Sequence, residues 1–138
     1  MRKNFKDIVK EKKEVKWRLP EKHEIDLIYF NLAYNGIGNF KKDTYYWCFA
    51  DTDVNIFYMQ NFENGNRFVN LYPNYIYPYR AIRDFETSDL IKVGTETETG
   101  YVFAVRGYTV YEVEKIDRKP ITEKDLKNSL KDFIFITI

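Results

Sequence analysis

Trp17-Arg18-Leu19-Pro20-Glu21-Lys22-His23-Glu24-Ile25 opens the stretch whose reading decides the fold, and Tyr79-Arg80-Ala81-Ile82-Arg83-Asp84-Phe85 closes it. Between them lie Gly36-Ile37-Gly38-Asn39-Phe40, then Tyr45-Tyr46-Trp47-Cys48-Phe49, then Asn55-Ile56-Phe57 with Phe62 and Gly65. Pro20 fits the first turn of a helix, where its missing N–H has no helical partner. The helix runs over Glu21–Asn31, with Glu21 and Glu24 near the positive end of its dipole. Ile25, Ile28 and Leu32 form its apolar stripe, widened by Leu27 and Phe30. Two glycines then mark a loop, Asn35-Gly36-Ile37-Gly38-Asn39. It lacks the spacing of a phosphate-binding loop and follows a helix rather than a strand.

Strands are expected at 45–50 and 55–62, dense in aromatic and β-branched residues. Asn64-Gly65 is a hairpin signal, with a return strand from Arg67 to Leu71. Tyr72-Pro73-Asn74-Tyr75-Ile76-Tyr77-Pro78 reads as a loop or edge, and Tyr79–Phe85 as one strand. Upstream, Phe5, Ile8 and Val9 predict a short amphipathic helix over Phe5–Lys13. Downstream, Leu90–Val93, Tyr101–Val105, Tyr108–Ile116 and Phe133–Ile138 read as strands, and Thr122 as the cap of a helix over Glu123–Leu130. No linker or repeat divides the chain, so 1–138 is read as a single α+β domain.

Composition narrows the function. With 22 basic and 21 acidic side chains the net charge is +1, which gives no reason to expect nucleic acid as a partner. Nine of the basic residues fall within the first 22 positions, as a solvated helix face or a basic docking patch. The one cysteine, Cys48, excludes an intramolecular disulfide and any site of several thiolates, and reads as a small buried hydrophobe. The only histidine, His23, reads as a surface residue. Asp51-Thr52-Asp53 lacks the glycine and later glutamate of a calcium loop. No apolar run approaches the length that spans a bilayer, so no membrane insertion is expected, and no signal peptide is seen.

These pieces, in this order and spacing, resemble the C-terminal domain family of the collagen-like adhesin Lcl and the related Fibrobacter succinogenes major paralogous domains. That family runs WRLP with a following E-L, a helix, G-x-G-x-F, Y-W-S-S, N-x-W-x-x-x-F-x-x-G and a terminal R-x-V-R. Here Cys48-Phe49 stands for the two serines and Phe57 for a tryptophan. The family's leading strand is missing, and some fifty residues follow the second arginine. The resemblance implies a C-type-lectin-like fold: two helices packed on a small, mostly antiparallel sheet, with a family-like core over 5–85 and an additional β-rich C-terminal extension over 86–138. It implies structural roles for Trp17, Arg18, Pro20, Trp47, Gly65, Arg80 and Arg83, and a cell-surface or virion setting.

The functional expectation is a non-catalytic binding or adhesion module, calcium-independent and without cofactor, that recognises a glycan or protein ligand through its loops. The candidate contact residues are Asn55, Tyr58, Gln60, Asn64, Asn66, Arg67, Tyr72, Asn74, Tyr75 and Tyr77, because Tyr and Asn combine rigid contact area with adaptable hydrogen bonding. The alternative is a structural or assembly protein of a phage or surface fibre, with a possible homo-oligomer. An enzyme is not expected: formylglycine-generating oxidases share the broad fold but use a pair of cysteines, and no paired carboxylates stand out for acid–base work.

Overall fold

The computed structural model describes residues 16–50, 53–69 and 74–134. The helix expected over Phe5–Lys13, the candidate Tyr72 and the pair Asp51-Thr52 lie outside those residues. Helix α1 spans Lys22–Asn31, followed by a 3₁₀ turn over Ala33–Asn35. Eight strands follow: β1 Tyr45–Ala50, β2 Asp53–Asn61, β3 Arg67–Val69, β4 Tyr77–Tyr79, β5 Ile82–Glu86, β6 Gly100–Arg106, β7 Thr109–Glu114 and β8 Arg118–Ile121. Helix α2, Glu123–Ile134, ends the described chain. The strands form three antiparallel sheets, ordered β1-β2-β3, β4-β8 and β5-β7-β6. The architecture is α+β.

α1 starts at Lys22, one residue after the expected Glu21, and Pro20 lies outside its first turn. The Pro20 carbonyl accepts the Phe49 N–H at 3.2 Å, so the proline belongs to a bridge onto β1, and Glu21 becomes the N-cap. Glu24 accepts the Glu21 N–H at 2.9 Å, half of a capping box. Ile25, Ile28 and Leu32 are buried as the periodicity requires. The stripe widens toward Glu24 and Tyr29, however, and leaves Leu27 and Phe30 at the surface.

β1 is the strand on which the core turns, because both of its faces are covered. Tyr46 and Cys48 point into a cluster with Ile25, Ile28, Tyr29, Leu32, Phe62, Ile82, Phe103 and Val113. Trp47 and Phe49 point the other way, against Leu19, Phe57, Tyr79, Ala81 and Leu126. A third, smaller cluster joins Phe85, Val102 and Val110 behind the β5-β7-β6 sheet. Each fully buried large apolar side chain contributes about 1.5–3 kcal/mol, so this two-sided strand carries much of the stabilisation.

Several sequence expectations are corrected. Tyr79–Phe85 is not one strand: β4 pairs with β8 and β5 with β7, and the chain breaks at Arg80-Ala81. Arg80 is buried there and takes its partners from two loops, which a continuous strand would not reach. Leu90–Val93 is a loop rather than a strand. α2 runs on through Phe133 and Ile134, where a strand was expected. Residues after 85, expected as a β-rich extension of the same domain, pack against the strands before them. β7 completes the sheet of β5, β8 pairs with β4, and Leu126 of α2 sits in the Trp47 cluster.

Candidate functional site

The three signature arginines each tie separate segments together. Arg18 meets Glu24 through two parallel bonds, Nη1–Oε1 and Nη2–Oε2, both 2.7 Å. Arg18 also exchanges backbone bonds with Ile82 at 2.7 and 2.8 Å, so one residue fixes α1 to β5. Arg80 donates Nε to Asp117 Oδ1 at 2.8 Å and Nη2 to the Asn39 carbonyl at 2.8 Å. Its Nη1 donates to the carbonyls of Gly38 and Glu114, and the guanidinium lies 4.1 Å from the Phe40 ring centre. Arg83 donates to the fully buried Glu112 at 2.7 Å and lies over the Trp17 ring at 4.5 Å. The Glu112 carboxylate also accepts the hydroxyls of Thr97 and Thr99. Trp47 is fully buried, and its Nε1 donates to the Ile121 carbonyl at 3.2 Å. Gly65 has φ +78°, and a Cβ there would stand 2.7 Å from the Tyr29 ring. This geometry holds loops in place.

The candidate contact residues divide into three groups. Gln60 is 1% exposed and accepts from Arg67 Nη1 at 3.0 Å, so its side chain faces the interior. Arg67 also donates to Asp26 at 2.7 Å, and Tyr58 lies between Arg67 and Lys22, whose charges stand 5.9 and 5.3 Å from its ring centre. These three residues bind β2 and β3 to α1. Asn64 and Asn66 belong to the connection between β2 and β3. The Asn64 side chain accepts the Asn66 N–H at 2.9 Å, while Asn61 accepts the N–H groups of Glu63 and Asn64. This is a five-residue loop stapled by Asx bonds, rather than a two-residue hairpin. Asn55 lies in β2, with its side chain outside the described set.

The third group is a surface. Tyr77 packs on the buried Trp47 at 5.4 Å between ring centres, and passes the contact outward to Tyr45 at 5.5 Å and Tyr75 at 6.0 Å. Tyr45 continues to Phe68 at 6.0 Å. All four pairs meet edge to face, the favoured aromatic geometry. The outer members remain in solvent: Ile76 is 60% exposed, Phe68 48% and Tyr75 42%. Asn74 is exposed beside them. Desolvation, followed by the neighbouring Tyr75 and Tyr45 phenols, pushes the Tyr77 phenol above its ordinary value. Sequence reasoning selected Tyr75 and Tyr77 and missed Tyr45, Phe68 and Ile76. Tyr45 and Phe68 read only as strand residues, and their rings meet across the intervening β2, diagonally on one face of the sheet.

Among the described residues no group of His, Cys, Asp or Glu could hold a metal ion, and no helix is long and apolar enough to cross a membrane. No family model, curated protein or solved structure matches the chain.

Proposed function

We propose that this chain is a non-catalytic binding module of C-type-lectin-like fold that recognises a protein ligand through the face built on Tyr45, Phe68, Tyr75, Ile76 and Tyr77. The observation that carries the reading is the outward aromatic relay from Trp47: a rigid core anchor presents a contiguous set of apolar side chains to solvent. Contiguous exposed apolar patches mark interaction sites, and aromatic residues are enriched where binding energy concentrates. Phe68 and Ile76 offer no hydrogen bonds, which favours a protein partner over a glycan, whose hydroxyls need polar partners. β3 stands at the edge of its sheet, beside the patch, and edges of this kind pair with an incoming strand. The C-type-lectin-like reading rests on the WRLP, G-x-G-x-F and arginine elements, whose side chains here pin the loops to the sheets.

A photo-crosslinking side chain at Tyr75 tests the proposal, with one at the exposed loop residue Leu90 as control. The proposal expects a discrete protein adduct from position 75 that a Phe68→Ser/Ile76→Ser background abolishes and a chelator leaves intact, with circular dichroism unchanged. A chain that instead binds a glycan array and keeps that binding in the same background overturns the protein reading. Crosslinks only between copies of the chain transfer this face to the assembly alternative.

A further inference from the structure

We infer that the groove between α1 and β6 is a second, separate binding site, one that takes an amphipathic monocarboxylate such as a medium-chain fatty acid. The groove has a volume of 460 Å³, within the range of small-molecule sites. It exists because α1 turns Ile25, Ile28 and Leu32 toward the core and leaves Leu27 on its flank. Asn31 Nδ2 donates to the Phe103 carbonyl at 2.8 Å and fixes the C-terminal end of the helix to the strand. The register shifts there, between Val102 and Ala104, so β6 is bulged beside the helix. Ala104 is then too small to close the space. Leu27 and Val93, both exposed, supply the apolar wall with Ala104 and the Tyr111 ring.

The charges at the groove decide the ligand. Glu24 is neutralised by the bidentate Arg18, which also stands 3.7 Å from Asp84, and His23 lies 3.4 Å from Glu21. Glu86 occupies the row of Arg106 but two strands away. Among the described residues the Arg106 guanidinium and the Tyr111 hydroxyl have no hydrogen-bond or ion-pair partner. Both line the groove. Tyr111 pairs with Ala104 and Thr109 with Arg106, so Arg106 and Tyr111 are diagonal neighbours on one face, within reach of two long side chains. The pair forms a cationic fork with an added O–H donor, suited to a carboxylate. The apolar wall then accepts the chain.

Isothermal titration with hexanoate, octanoate and decanoate tests this directly, with decylamine and methyl decanoate as controls for the charge. Affinity is expected to rise about fourfold per methylene until the groove is filled, with the amine and the ester each weaker than decanoate by about twofold to fivefold. Arg106→Gln, at an exposed position, is expected to lose about twofold to fivefold. Ala104→Leu is expected to shorten the best chain while leaving the melting temperature within a few degrees. Equal binding of decanoate and decylamine, affinity independent of chain length, or an Arg106→Gln variant that binds like the parent overturns the proposal. The aromatic-face variants must leave decanoate binding untouched, which keeps the two sites distinguishable.

Discussion

Arg80 leaves an acceptor behind at every bond it makes. Its removal leaves the Asp117 carboxylate without its ion-pair partner and takes a donor from the carbonyls of Gly38, Asn39 and Glu114. Breaking a buried charged network by deleting one partner costs about 3–5 kcal/mol, and Arg80→Met is expected to lose that much in urea unfolding. Arg80→Lys should recover only part, since a point charge cannot reach two loops at once. A loss under about 1 kcal/mol for Arg80→Met would mean that water replaces the guanidinium freely. Gly65→Ala is a second test at this scale: the left-handed backbone costs about 1–2 kcal/mol, and the 2.7 Å approach to Tyr29 adds to it. Structural roles for Arg18, Arg80 and Arg83 were expected because the resemblance implies them and a planar guanidinium fork suits carboxylate and carbonyl partners. Their partners were not. Glu112 lies 29 residues from Arg83 and looks like any strand glutamate, because burial and hydrogen-bond acceptance leave no mark in local sequence.

The elements show the same division. α1, β1 and β2 follow from periodicity, since each has a strong local pattern and one dominant way to bury it. The Tyr79–Phe85 run misleads because its alternation is sound on both sides of Arg80, and only the arginine's distant partners reveal the break. β8, with Pro120 inside it, has a composition that argues against a strand; as an edge it tolerates the proline. α2 continues past Leu130 although Phe133 and Ile134 carry β-favouring side chains. Its anchor is Leu126, buried against Trp47, Phe49 and Phe57. Leu126→Ala is therefore expected to cost about 2–5 kcal/mol, a drop read by thermal melting. Leu90, exposed in a loop, is the matched control and its alanine variant should melt with the parent. Equal melts for the two variants would show that α2 lies outside the cooperative unit.

At the scale of the molecule, β1 joins what would otherwise be separate clusters, and Tyr46 is the point where that joint meets polar chemistry. Its hydroxyl accepts the Lys41 N–H at 2.8 Å and donates to Asp117 Oδ2 at 3.1 Å, and Asp117 in turn holds Arg80. One phenol thus connects the loop before β1, the segment before β8 and the buried arginine. Burial pushes the Tyr46 phenol above its ordinary value, with the Asp117 carboxylate adding to the rise and the Lys41 N–H opposing it. The folded chain then holds this proton more tightly than the unfolded chain, so the associated stability is complete below about pH 10, the ordinary tyrosine value. It is lost as pH climbs from there toward the raised folded value. Tyr77 titrates in the same direction, but its exposure makes its share small. Urea midpoints are expected to hold level from neutral pH to about pH 10 and then fall, with fluorescence and far-ultraviolet dichroism falling together because β1 serves both clusters. Tyr46→Phe removes the titrating proton. It should lower stability at neutral pH by about 1 kcal/mol through its lost hydrogen bonds and flatten the alkaline limb. If that limb keeps its slope in the variant, the alkaline loss belongs to the lysines and exposed phenols, and Tyr46 is only a packed ring.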